Sequence, residues 1–240
     1  MKSHICSCLK REMPDTSLNG HARFIKHAKV LESDRIRWLE IMAVVITGSM
    51  KYILMDWLNL RAIYIGGACL FWIIFIYKRY HKDNAILRHW GFRKAHFKRT
   101  FLLILPFALT VIAGIVWYGI AFNATFLNWH VIPVLVLYPF WGIIQQFMML
   151  ALIARNLRSI SSLNLKDPQV IVLTSLLFAL AHYPSFPLMV FAFVMEIGFT
   201  SMYFKWKNLW ALGLYHGWIG GLLLFFVMNR DLWIELWPVI

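Results

Sequence analysis

Carboxylates are scarce in this sequence: 11 Asp and Glu stand against 24 Lys and Arg in 240 residues. Cysteine is scarcer still. Cys6, Cys8 and Cys69 are too few for a disulfide framework. Cys6-Ser-Cys8 beside His4 reads as reduced cytosolic thiols rather than as a metal site. Residues 1–37 contain no apolar core of the kind a signal peptide needs. Internal repeats are lacking, as is the His-Glu-x-x-His spacing of a metalloprotease helix. Apolar residues, by contrast, are in excess. They make up 60% of the chain and aromatics 17%, with a mean hydropathy of +0.64. A soluble domain would hold roughly 45–50% apolar residues.

The apolar residues fall in runs of about twenty, the length that crosses a ~30 Å hydrocarbon core at 1.5 Å per residue. Seven spans are expected, near 38–58, 60–77, 100–122, 131–154, 170–183, 187–204 and 209–228. Segments 1–37, 78–99, 155–169 and 205–208 carry 8, 8, 3 and 2 Lys/Arg, which is 21 of the 24. That alternation follows the positive-inside rule. The expected fold is therefore an all-α polytopic membrane protein with its N-terminus cytoplasmic and its C-terminus outside. The basic excess belongs to topology and to contact with anionic headgroups rather than to nucleic acid. Three regions follow: a basic cytoplasmic segment 1–37, N-terminal spans over 38–122, and a core over 123–240. Within the second, loop 78–99 places Trp90, Phe92 and Phe97 among basic residues, as an interfacial amphipathic segment would.

Ionisable groups deep in a span are costly and usually face a bundle interior or a cavity. Glu40 and Asp56 lie near the ends of the first span, and Lys51 is placed to snorkel. Deep within spans stand Gln145 and Gln146, His182, Glu196 and His216, from four successive helices. Each alone has a structural explanation. A Gln serves as interhelical glue, His182 ends a helix before Tyr183-Pro184, and His216 packs among Gly213, Gly217, Gly220 and Gly221. Glu196 is the hardest to explain by structure, because a lone buried carboxylate needs a partner.

Together these residues resemble the CPBP (Abi) family, the CAAX prenyl proteases and bacteriocin-processing membrane enzymes. That family reads Glu-Glu-x-x-x-Arg, then Phe-x-x-x-His, then His-x-x-x-Asn or Asp. Phe178-Ala-Leu-Ala-His182 fits the second motif, and Asn208-Leu209-Trp210 leads into His216. The resemblance covers about 138–228. It departs at the chemistry: Gln145 and Gln146 replace the glutamates, Leu150 the arginine, and Gly220 the last Asn or Asp. The resemblance implies that the first glutamate and a histidine activate water, while the other histidine and the Asn hold the oxyanion.

An amide is no general base, so two readings stay open. One is an intramembrane endopeptidase acting on peptide or membrane-anchored tails. It would use His182 and His216, with Glu196 as a relocated carboxylate and Gln145 and Gln146 as hydrogen-bonding groups. By depth Glu196 pairs with His182 more readily than with His216. The other reading is an inactive relative that binds or escorts a membrane partner. The residues lean toward the peptidase, in an integral protein of a bacterial inner membrane. No cofactor is expected, although His182, His216 and Glu196 are a conceivable Zn set. A transporter is disfavoured by the lack of inverted repeats of broken helices.

Overall fold

A computed structural model describes residues 34–122, 129–231 and 233–234. Cys6, Cys8, His4 and nearly all of segment 1–37 lie outside the described residues. Helices are the only regular structure among the described residues, as expected where a bilayer leaves no partner for an unpaired backbone. They are α1 (Asp34–Trp57), α2 (Arg61–Lys82), α3 (Phe97–Phe122), α4 (Val131–Ser159), α5 (Asp167–Leu180), α6 (Phe186–Trp206) and α7 (Leu209–Val227). Six are long and apolar enough to cross a membrane, and α5, at 14 residues, is shorter. The chain is an all-α polytopic membrane protein.

The outer helices α1, α2 and α3 expose much of their apolar surface, including Leu39, Ile63, Leu70, Phe107 and Ile120. Helices α4 and α7 are largely buried and pack against each other along their length. Small residues let them approach. A Cβ on Gly142 would sit 2.5 Å from the Gly217 nitrogen, and one on Gly213 would sit 2.7 Å from the Ile143 Cα. A Cβ on Gly217 would overlap the Pro139 backbone. Gly213, Gly217 and Gly221 recur every fourth residue, the small-residue stripe by which membrane helices associate. Gly220 is different, because a Cβ there meets only the Tyr138 ring at 3.6 Å. Gly217→Leu should therefore cost ~3 kcal/mol, since neither backbone can yield, whereas Gly220→Ala should be near neutral. Thermal unfolding in one detergent distinguishes the pair.

Two sequence expectations need correction. Most of loop 78–99 is exposed, but not all of its aromatics stay on the surface. Trp90, at the end of a short helix (Ile86–Trp90), is fully buried against Phe147, with ring centroids 5.0 Å apart. Gly91, in the left-handed region at φ 100°, accepts a hydrogen bond from the Leu209 N–H. Arg93 donates to the carbonyls of Trp206 and Lys207, and Asn208 donates back to those of Arg93 and Ala95. The loop thus clasps the α6–α7 corner and sets the start of α7.

The second correction concerns Arg155, counted above as a loop charge. Helix α4 continues to Ser159, and Arg155 is buried within it. Its Nε donates to the Ala151 carbonyl at 2.8 Å, and its Nη2 donates to Asn156 Oδ1 at 2.9 Å. Glu40 lies against the same cluster, 3.4 Å from Arg155, 3.3 Å from Arg79 and 2.8 Å from the Asn156 amide. A charge inside a helix end has no hydropathy signature, so only packing discloses this network.

Candidate functional site

Helix α4 carries Gln145 and Gln146 immediately before a π-helical stretch, Phe147–Ala154, all of it buried. The extra residue per turn widens the helix just past the two amides, a distortion that recurs at functional sites. Because consecutive side chains on a helix point about 100° apart, the two amides face different neighbours. Gln145 is half-buried and lines a cavity of about 540 Å³, whereas Gln146 is completely buried behind it.

The glycine contact between α4 and α7 brings His216 between the two amides. His216 Nε2 lies 3.0 Å from Gln145 Oε1, and its Nδ1 lies 3.4 Å from Gln146 Nε2. The carbonyl oxygen of Gln145 can only accept, so Nε2 carries the proton and Nδ1 accepts from Gln146. Gln146 Nε2 also donates to Glu196 Oε2 at 2.8 Å, and Thr200 Oγ1 donates to Glu196 Oε1 at 3.3 Å. The result is a chain of four side chains from three helices: Gln145, His216, Gln146 and Glu196.

His182 stands apart from this chain. It follows the last turn of α5, where its Nδ1 donates to the Phe178 carbonyl at 2.7 Å. In a neutral imidazole that leaves Nε2 as an acceptor. The Phe178 ring packs against both imidazoles, with centroids 4.7 Å from His182 and 5.2 Å from His216. The depth argument that paired Glu196 with His182 is therefore corrected. Glu196 lies near the middle of α6, where the neighbouring polar group is Gln146, and it reaches His216 through that amide.

Gln145, Phe178, His182, His216 and Gly220 all line the cavity, and so do the apolar side chains of Ile65, Met148, Phe191, Met195 and Leu224. Glu196 is completely buried and is absent from that wall. Among the described residues the only acid on the wall is Asp56, bound at 3.0 Å to Lys51. Leu150, at the position of the family arginine, is fully buried. Among the described residues no three His, Cys, Asp or Glu side chains are grouped to hold a metal ion.

The presence of amides, imidazoles and one carboxylate in four spans was readable in the sequence, but their connections were not. Three residues escaped sequence reasoning as part of this cavity: Lys51, Arg61 and Arg230, which line it. Their signal was available, since they are the only Lys and Arg outside the four basic segments.

Residues 126–222 match a protein-family model described as type II CAAX prenyl endopeptidase Rce1-like. No curated protein and no solved structure gives a significant match to the chain. The matched region holds Gln145, Gln146, His182, Glu196 and His216 and the helices that assemble them. Over this C-terminal region the chain is similar to the CAAX protease-like (CPBP) family.

Proposed function

We propose that this protein binds a short lipidated or apolar tail of a membrane partner in the cavity, without cleaving it. Its setting is a bacterial inner membrane with the basic segments on the cytoplasmic side, in keeping with their 21 Lys and Arg. The tail as ligand class follows from the family description, a prenyl endopeptidase. One observation carries the absence of turnover. The carboxylate of the polar chain, Glu196, lies behind Gln146 and off the cavity wall. A base must reach the water that it activates, and an amide at the wall cannot take a proton from it.

Where Gln145, His182 and His216 meet the cavity, the wall offers neutral hydrogen bonding. With its oxygen engaged by His216, Gln145 keeps its amide N–H groups as donors, and His182 keeps Nε2 as an acceptor. An extended peptide in apolar surroundings needs such partners for its unpaired backbone groups. Size points the same way. One turn of a helix with its side chains fills roughly 400–600 Å³, from a diameter of 10–12 Å and a 5.4 Å pitch. A cavity of about 540 Å³ suits a short tail and not a transmembrane helix.

The test uses the full-length chain with a photoreactive residue at Phe191 and a farnesylated tail peptide in nanodiscs. Capture is expected to survive Glu196→Gln and to fall about tenfold in Gln145→Leu, the loss of one to two hydrogen bonds. If instead the peptide is cut, and the cutting stops in Glu196→Gln, the protein is a peptidase with a relocated carboxylate.

A further inference from the structure

One amide in the polar chain is only half satisfied. Gln146 is completely buried, and its Oε1 has no hydrogen-bond partner among the described residues. Its Nε2 faces both Glu196 Oε2 at 2.8 Å and His216 Nδ1 at 3.4 Å. Turning the amide over would exchange the two atoms and set Oε1 against the Glu196 oxygen, acceptor against acceptor. A buried oxygen without a partner is costly, so some group holds the amide this way round. Glu196, also completely buried, is placed to do so. Both of its oxygens accept, one from Gln146 and the other from Thr200 Oγ1 at 3.3 Å. The direction then passes along the chain. An N–H at Gln146 makes His216 Nδ1 an acceptor, the neutral imidazole keeps its proton on Nε2, and Nε2 donates to Gln145 Oε1 at 3.0 Å. The Gln145 N–H groups are what remains for the cavity.

We propose that Glu196 is a positioning residue that sets, from behind the cavity wall, the direction of the Gln146–His216–Gln145 chain. Through it the wall donates at residue 145 and selects a ligand by an acceptor oxygen, as a carbonyl offers. Without that carboxylate the chain runs equally well in reverse. Gln146 Oε1 would accept from His216 Nδ1, Nε2 would accept from the Gln145 amide, and Gln145 would show its oxygen to the cavity. An amide at position 196 permits both directions, because it can accept from Gln146 or donate to it. The choice of ligand group rests on the proposed capture of a tail; the direction of the chain does not.

The experiment uses the full-length protein in nanodiscs, with isotope-labelled histidine and glutamine. The tautomer of His216, assigned by loss of its signals in His216→Gln, is read from its ring-nitrogen NMR shifts. In the unsubstituted protein Nε2–H should exceed Nδ1–H by at least about tenfold, the equivalent of one buried hydrogen bond. Glu196→Gln should bring the two tautomers near parity, and so should Glu196→Met, which has no acceptor oxygen. A half-reversed chain lowers tail capture by no more than about twofold. Thr200→Val disturbs the same buried corner but keeps the acceptor that faces Gln146, so Nε2–H should stay dominant. Farnesylacetone, whose ketone can only accept, should shift the Gln145 side-chain N–H signals downfield, and farnesane, which lacks the oxygen, should not. A single Nε2–H tautomer in either folded variant at 196 overturns the positioning role, as does dominant Nδ1–H in the unsubstituted protein. An equal response to Thr200→Val overturns it too, since any disturbance of packing would then suffice. No downfield shift with the ketone overturns the selection of an acceptor. None of these outcomes depends on whether the tail peptide is held or cut, which photocapture reads separately.

Discussion

Full-length protein carrying Gln145→Glu with Gly220→Asn is expected to cut a lipidated tail peptide, whereas the unsubstituted chain is expected only to hold it. Position 145 is the amide at the cavity wall, 3.0 Å from His216 Nε2. A carboxylate there keeps that contact through one oxygen and turns the other toward the cavity, where a water can be activated. Asn at 220 restores the polar end of the family's last motif, and the space around Gly220 admits a side chain. General-base catalysis contributes ~10²–10⁴-fold, so fragment should rise at least a hundredfold above the unsubstituted chain. Leu150 is left in place because it is fully buried, and an arginine there would need a partner. The measurement is mass-spectrometric detection of the released tail, with peptide binding followed in parallel. If binding persists and no fragment appears, the amide at 145 is not what prevents turnover.

Gln146→Glu is expected to behave in the opposite way and to damage the protein. The Gln146 amide lies 2.8 Å from the Glu196 carboxylate, with both side chains fully buried. A carboxyl there would replace the donor with a second buried acid and leave the Glu196 oxygen without its partner. Leaving a buried polar group unsatisfied in this manner costs ~1–3 kcal/mol. The reciprocal variant Gln146→Glu/Glu196→Gln returns one acid and one amide to the pair, and it should regain most of that stability. A thermodynamic cycle of unfolding free energies, measured in one detergent, should give a coupling of ~2–3 kcal/mol. Additive effects would show that the two side chains do not depend on each other. Near position 146 the acid is Glu196 of α6, while position 145, on the cavity wall, is an amide.

Much of this was open to a reader of the sequence, for a physical reason. A bilayer imposes length and composition on each span, so seven apolar segments, and the basic residues gathered in alternate connections, follow from one-dimensional patterns. The cost of polar groups in lipid makes Gln145, Gln146, His182, Glu196 and His216 conspicuous without any coordinates. The stretches that carry them resemble the motifs of the CAAX protease-like family.

What depended on tertiary structure was the partner of each group. Hydropathy records how deep a residue sits, not which way it faces. Depth alone paired Glu196 with His182, whereas helix rotation pairs it with Gln146. Arg155 looked like a loop charge until α4 was seen to continue past it into a buried network with Glu40 and Asn156. Trp90 looked interfacial until loop 78–99 was seen to fold beneath the α6–α7 corner. Lys51, Arg61 and Arg230 are far apart in the chain and come to line one cavity only in the folded bundle. The sequence by itself determined that the chain crosses a membrane and which polar side chains enter it. Packing through Gly142, Gly213 and Gly217 decided which of them touch, because a backbone approach that close is a property of two helices at once.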